Sequence, residues 1–242
     1  PKLNSYSQAE REKFSAYSTL YSHYETLLSR VPKSFSEKLR QTKHTHWLEC
    51  AYTTLNGSHT SEEICLYWSI KAEEILEKAW IECQLNKHNI SLVAFGKLGS
   101  KELNLSSDID IIFVKSDDEQ SSEINGKIKS FLRLLSETNS FGFVFRTDID
   151  LRPGGPAAPL VPTLSAFTNF YNEYTAAWNR LSFIRLRPLF GPTELTTEVA
   201  NFCHRLAYPR RLDFSIIKEL KGIRSKLEFQ WRKASEPFNI KF

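Results

Sequence analysis

The 242-residue chain carries 32 Lys and Arg against 28 Asp and Glu, a formal charge of +4 that is too mild to mark a nucleic-acid binder. Its 41% hydrophobic and 13% aromatic content describe a globular protein able to bury a sizeable core, as one large domain or two smaller ones. No apolar run approaches the ~20 residues of a membrane-spanning helix and no signal-peptide pattern opens the chain, so a cytoplasmic protein is expected, with Cys50, Cys65, Cys83 and Cys203 as ordinary buried thiols.

From Ser5 to Arg30, Phe14, Tyr17, Tyr21, Tyr24 and Leu28 recur at steps of three and four. This predicts an amphipathic helix stopped near Pro32, its aromatic stripe facing a core rather than stacking on bases. Lys33 to Glu49 shows no clear pattern, and His44 and His46, which diverge on a helix, read as surface residues rather than metal ligands. Asn56-Gly57-Ser58 marks a turn. Thr60 and Glu63 then have the spacing of a capping box, predicting a helix to about Leu85 with Ile64, Trp68, Ile75, Ala79 and Cys83 inward.

The stretch from Ser91 to Lys115, SLVAFGKLGSKELNLSSDIDIIFVK, holds two apolar runs, Leu92 to Phe95 and Ile109 to Val114, joined by a Gly-containing turn. Asp108 and Asp110 sit within the second. In a strand, alternate residues share a face, so the two carboxylates project together while Ile109 and Ile111 pack on the other side. Side by side they repel unless a cation holds them, and a hard dication with oxygen ligands, Mg²⁺ or else Mn²⁺, is the economical choice. Gly96, Gly99 and Ser100 follow the first run, where glycines allow tight turning and close approach of a phosphate to backbone N–H groups and the Ser100 hydroxyl.

After the acidic loop Asp117-Asp118-Glu119, Ile128, Phe131, Leu132 and Leu135 predict a helix over Ile124 to Glu137. A third β-like run, Phe141 to Leu151, places Asp148 and Asp150 among apolar residues; beside the Asp108/Asp110 strand, Asp148 would complete a three-acid site. Pro153 to Pro162 is expected to be an ordered loop anchored by Leu160 and Val161. Helical spacing resumes from Leu164 with Phe167, Phe170, Tyr171, Tyr174 and Trp178 on one face. Arg180, Arg185 and Arg187 are candidates for two-pronged phosphate contact. Pro188 to Pro192 reads as a break, and Leu195 to Ala207 and Asp213 to Trp231 as two further helices.

A Gly/Ser turn, a short spacer and Asp-x-Asp in an apolar strand resemble the polymerase β-type nucleotidyltransferase superfamily. The wording Gly96-Lys97-Leu98-Gly99-Ser100-Lys101-Glu102-Leu103-Asn104, running into Ser106-Ser107-Asp108-Ile109-Asp110, is similar to that of the bifunctional glutamine synthetase adenylyltransferase/adenylyl-removing enzymes. Asp148 with Leu151-Arg152-Pro153, Ala158-Pro159-Leu160-Val161 and Trp178-Asn179-Arg180 resemble further segments of that family. The resemblance implies an α+β fold with a small mixed sheet flanked by helices. It divides the chain into a helical region 1–89, a nucleotidyltransferase core 90–162 and a helical region 163–242.

It further implies Mg²⁺ held by Asp108, Asp110 and Asp148, which are also the catalytic acids. Gly99, Ser100, Lys101, Arg152, Arg180 and Arg187 would bind nucleotide or phosphate. Glutamine synthetase would be the protein partner, with ATP, ADP and inorganic phosphate as small-molecule partners and neither nucleic acid nor membrane involved. The run Tyr208-Pro209-Arg210-Arg211-Leu212-Asp213-Phe214 resembles the amino-terminal, adenylyl-removing half, as does Asn239-Ile240-Lys241, which points to phosphorolytic removal of AMP and to a fragment or truncated relative. Two departures, Asp150 where the family has Arg and Asn179 where it has an acid, support an alternative: a catalytically silent nucleotide-binding regulatory module of the same fold.

Overall fold

The computed structural model describes residues 22, 25–174, 177–209 and 214–233. Most of the aromatic stripe of the first expected helix, the Arg210 to Asp213 junction and the Asn239 to Lys241 segment lie outside the described residues. Contacts divide the chain into two compact units that interleave in sequence: 1–85, 101–105 and 126–147 form the first, and 86–100, 106–125 and 148–242 the second. The sequence boundaries at 89/90 and 162/163 instead separate stretches by element type.

The first unit rests on helices α1 (Phe35–Asn56) and α2 (Ser61–Glu82). In α2, Thr60 and Glu63 form the expected reciprocal capping box, with Glu63 N–H 3.2 Å from Thr60 Oγ1 and Thr60 N–H 2.9 Å from Glu63 Oε2. Its inner side buries Trp68, Ala72, Ile75, Leu76, Ala79 and Trp80. Trp68 packs on Phe145, and Trp80 meets Phe131 edge to face with ring centroids 5.9 Å apart.

Helix α1 was not legible as a periodic stretch, because its inner face carries cations. Arg40, only 1% exposed, donates to the carbonyls of Gly142 at 2.8 Å and Ser36 at 2.9 Å, and also to that of Glu137. Ser34 caps the helix, and Gly57, at φ 65°, ends it. His44 departs from the surface reading: it is half-buried, with Nε2 2.9 Å from the Phe141 carbonyl oxygen. From Gly126 onward α4 (Ile124–Ser136) belongs to this unit and buries Ile128, Phe131 and Leu135 as its spacing predicts; the Gly96–Gly99 helical turn, α3, precedes it in the chain.

A four-stranded sheet has the order β3-β2-β1-β4: β1 is Ile90–Ala94, β2 Ile109–Lys115, β3 Thr147–Asp148 and β4 Arg187–Phe190, and apart from Thr147 its strands belong to the second unit. Together with its flanking helices this is the expected α+β architecture. Strand β1 is fully buried and runs antiparallel to both β2 and β4. Strand β4 corrects the break expected at Pro188: the residue pairs with Val93, and it is tolerated because β4 is the sheet edge, where a missing N–H leaves no partner unsatisfied.

The run from Phe141 to Leu151 also differs from expectation. Only Thr147 and Asp148 form strand; Val144 and Phe145 donate instead to the Leu135 carbonyl, at 2.9 and 3.0 Å. The 153–162 loop is ordered as expected, with Val161 buried and Lys115 N–H bonded to the Pro162 carbonyl at 3.0 Å.

Helices α5 (Leu164–Glu173), α6 (Ala177–Ile184), α7 (Thr193–Ala207) and α8 (Phe214–Lys233) complete this unit. Val93, Phe95, Ile112 and Val114 of the sheet region pack with Phe167, Tyr171, Phe183, Leu195, Val199 and Phe202 in one core. No helix of the described residues is long and apolar enough to cross a membrane. Phe183, 4.9 Å from Tyr171 and 6.2 Å from Phe95 between ring centroids, fixes the α6 end that leads into Arg185. Phe183→Ala is expected to lower stability by about 3–5 kcal/mol, read from the chemical denaturation midpoint, whereas Phe183→Leu should cost well under half of that.

Candidate active site

The acid end of the sheet is assembled around the turn after β1. Phe95 N–H bonds the Asp110 carbonyl at 2.9 Å, closing the β1–β2 ladder, and Gly96 then leaves the strand at φ 55°. A Cβ on Gly96 would lie 2.5 Å from Asp110 Oδ2, so the carboxylate rests directly against the glycine backbone. At Gly99 a Cβ would stand 2.0 Å from the Arg185 carbonyl oxygen and 2.9 Å from that of Ala94. Gly99 is therefore required by close backbone packing.

Arg185 and Arg187 clamp this turn. Arg185 Nε and Nη2 donate to Ser100 Oγ at 3.1 and 2.9 Å, while that hydroxyl donates to the Gly96 carbonyl at 3.0 Å. Arg187 Nε donates to the Gly99 carbonyl at 3.1 Å and Nη2 to that of Leu98 at 3.2 Å. The Ser100 hydroxyl thus already has a donor and an acceptor within the protein.

The three acids meet electrostatically. Asp108 immediately precedes β2, Asp110 lies in it, and β3 with Asp148 is the neighbouring strand. Burial pushes the Asp110 carboxyl up to about 6, and Asp148 and then Asp108 add to the rise; Lys97 and Arg185 oppose it. Nothing in its sequence context marks Lys97, which stands between Gly96 and Ser100; only the fold brings its charge to bear on Asp110.

Arg180 caps α7 through the Leu206 carbonyl at 3.0 Å. Arg152 is nearly buried and spans its own loop, with Nη1 2.8 Å from the Ile149 carbonyl and Nη2 2.9 Å from that of Pro156; its Nε is sealed and unpartnered. Lys101 is exposed at φ 59° and belongs to the first unit. Asp150 does not share a strand face with Asp148, because β3 ends at Asp148. Its N–H donates to Asp148 Oδ1 at 2.8 Å, and its carboxylate, 66% exposed, is 3.7 Å from Arg152 Nη1. Asn179, the other departure, is buried, and its carbonyl accepts the Ser182 hydroxyl at 2.7 Å.

Among the described residues no group of three or more His, Cys, Asp and Glu is arranged so that it could hold a metal ion. The donor chemistry of Asp108, Asp110 and Asp148 nevertheless suits a hard dication: all three offer carboxylate oxygens, and two of them raise the proton affinity of the third.

A family described as "Glutamate-ammonia ligase adenylyltransferase" matches residues 3–202. Three curated relatives, each named bifunctional glutamine synthetase adenylyltransferase/adenylyl-removing enzyme, are similar to the chain. That of Nitrosococcus oceani is 33% identical over 163 residues, covering 62% of this chain and 16% of the relative. That of Mannheimia haemolytica is 29% identical over 250 aligned residues, covering 89% and 25%, and that of Idiomarina loihiensis 31% over 240, covering 88% and 25%. The chain thus spans a quarter or less of the length of these relatives.

The charge on Asp110 has a consequence for stability. Its folded-state pKa lies above the ordinary carboxylate value, so between about pH 4 and 6 the folded state holds more proton than the unfolded state, and stability falls as pH rises through that window. Asp110→Asn is expected to be more stable than the parent at pH 7, on the order of 1 kcal/mol after allowance for solvent screening, with the gap closing below about pH 4. Thermal denaturation of both proteins from pH 4 to 7 measures it; a gap that is constant across this range would place the cost elsewhere.

Proposed function

We propose, since the chain belongs to the glutamate-ammonia ligase adenylyltransferase family, that its three-acid site transfers an AMP group on a tyrosine of glutamine synthetase in control of nitrogen assimilation, in the cytoplasm and in the removing direction. In that direction an oxygen of inorganic phosphate attacks the phosphorus of the tyrosine-linked AMP. The bond from phosphorus to the tyrosine oxygen breaks, the phenolate leaves and takes up a proton, and ADP is released. The reverse reaction, addition of AMP, passes through the same kind of transition state, so one arrangement of groups serves both.

The observation that carries this reading is the position of Asp110: set against Gly96, with its charge disfavoured by burial and by Asp148 and Asp108, and favoured by Lys97 and Arg185. Asp108 and Asp110 are the proposed ligands of Mg²⁺ or Mn²⁺, with Asp148 completing the set. When bound, the dication would neutralise charge developing on the phosphate and align attacker with leaving group. Asp148 is assigned to help activate the attacking group. Lys97 and Arg185 supply positive charge beside carboxylates that would otherwise repel an incoming phosphate. Arg187 and Ser100 hold the turn against which the nucleotide phosphate approaches.

Two features motivated the silent-module reading, and Asp150 now weighs less in it, since its exposed carboxylate faces Arg152 and lies outside strand β3. The test is direct. Adenylylated glutamine synthetase incubated with the protein, phosphate and Mg²⁺ should lose one AMP per modified subunit by intact mass and yield ADP. Asp108→Asn combined with Asp110→Asn should reduce that rate by at least about 10³-fold and remove Mg²⁺-dependent thermal stabilisation while the protein stays folded. Nucleotide binding with no transfer in either direction would establish the silent module instead.

A further inference from the structure

Of the three acids only Asp148 is exposed; Asp108 and Asp110 are half-buried. Asp110 rests against the Gly96 backbone, which limits where its carboxylate can lie. Asp148 instead closes a two-residue strand at the edge of the sheet. An exposed side chain in that position samples its rotamers unless a hydrogen bond selects one. Such a bond is present: the Asp150 N–H donates to Asp148 Oδ1 at 2.8 Å, the length of a bond to an ionised acceptor. A carboxylate held through Oδ1 still has Oδ2 to offer a cation.

The donor is fixed although its own side chain is exposed. Asp150 is the second residue of a turn that the Arg152 N–H closes on the Ile149 carbonyl at 3.4 Å. The Arg152 side chain, 9% exposed, ties the same Ile149 carbonyl to that of Pro156, at 2.8 and 2.9 Å. The carbonyl of Leu151 accepts the Tyr171 hydroxyl at 2.8 Å, and Tyr171 is 2% exposed, in the core with Phe167 and Phe183. A buried phenol thus ties the turn to α5 and a buried guanidinium ties it to its own loop, so the direction of the Asp150 N–H is set from the core.

We infer that Asp150 is a positioning residue for Asp148 and acts through its backbone: its N–H, held by Tyr171 and Arg152, keeps the Asp148 carboxylate in the orientation that completes the dication site. A hydrogen bond to a ligating carboxylate matters to the metal because it fixes the direction of the ligand before the ion arrives. Every residue except proline supplies this N–H, so Asp150 in place of the family's Arg leaves the positioning intact. The role rests on the proposed reading of Asp148 as a dication ligand, whereas the hydrogen bond does not.

The test compares Asp150→Pro with Asp150→Ala in the whole chain. Both remove the carboxylate and its 3.7 Å contact with Arg152; only proline also removes the N–H. The second residue of a turn is the position that proline fits best, so the turn itself is kept. With no substrate present, calorimetry should find Mn²⁺ bound about 10–100-fold more weakly by Asp150→Pro than by Asp150→Ala. Phosphorolysis of adenylylated glutamine synthetase should lose a similar factor in kcat with little change in KM. The Asp150 amide proton reports the bond directly, and its NMR resonance in the metal-free protein should move upfield in Asp148→Ala. If Asp150→Pro fails to fold, Tyr171→Phe decides: it keeps the buried ring, removes the hydroxyl that holds the Leu151 carbonyl, and should weaken Mn²⁺ binding at least about threefold. Equal Mn²⁺ affinity in the two Asp150 variants, unchanged affinity in Tyr171→Phe where that variant decides, or an amide proton unmoved by Asp148→Ala would overturn the role and leave the reaction standing. Affinities that fall as expected in a protein that transfers no AMP would overturn the reaction and leave the role standing. A parent protein that binds no Mn²⁺ removes Asp148 as a dication ligand, and the role with it.

Discussion

At Gly99 the Arg185 carbonyl oxygen lies 2.0 Å from where a Cβ would stand, and at Gly96 the Asp110 carboxylate lies 2.5 Å from the equivalent point. The turn after β1 is therefore closed from two sides by groups that belong to other elements. Much of the acid end depends on that closure. With the turn seated, Arg185 and Arg187 reach Ser100 and the carbonyls of Gly99 and Leu98, so the segment entering β4 is tied to the exit from β1 at both side-chain and backbone level. A bulkier residue at Gly99 could not be relieved by a rotamer change, because the opposing atom is backbone. At Gly96 the opposing atom is a carboxylate that can move, but only by leaving the position in which it meets Asp148 and Asp108.

The electrostatics follow from that geometry. A half-buried Asp110 next to two further acids is a costly arrangement, and Lys97 and Arg185 offset only part of it. Apolar residues of comparable size would pack β2 at lower cost, as Ile109, Ile111 and Ile112 do on either side. Retaining acids at this end of an otherwise apolar strand is the kind of local conflict with foldability that marks a site rather than a scaffold.

How far the sequence reveals this depends on which force organises each element. Helix α2 was legible because its signals are local: Thr60 with Glu63 at one end and an apolar inner side ending at Ala79 and Trp80. The helix Phe35–Asn56 was not, since its inner face holds Arg40 and Lys43, whose partners lie about a hundred residues away in the 137–143 segment. Strand β4 was hidden by Pro188, a residue that forbids a central strand but not an edge one. The alternation of Asp148 and Asp150 overstated β3, whose ladder stops where the Asp150 N–H turns back onto the Asp148 carboxylate. The acids themselves were readable, as carboxylates in apolar strands are rare without cause, but Lys97 and Arg185 became partners of Asp110 only through the closing of the turn.

The two units each keep a charge that folding alone does not favour, and of opposite sign: Asp110 in the second, Lys43 in the first. The sign at the acids sets how that end would respond to a ligand. A dication at the acids, as proposed, would bind the folded state in preference to the unfolded one and so stabilise it in proportion to the logarithm of its concentration, about 2.7 kcal/mol at a hundred times its dissociation constant. Against a typical domain stability of about 5–15 kcal/mol, that is a large fraction. The apolar cores, from Trp68 and Trp80 in one unit to Phe167, Tyr171 and Phe183 in the other, are what let the fold hold both charges in place.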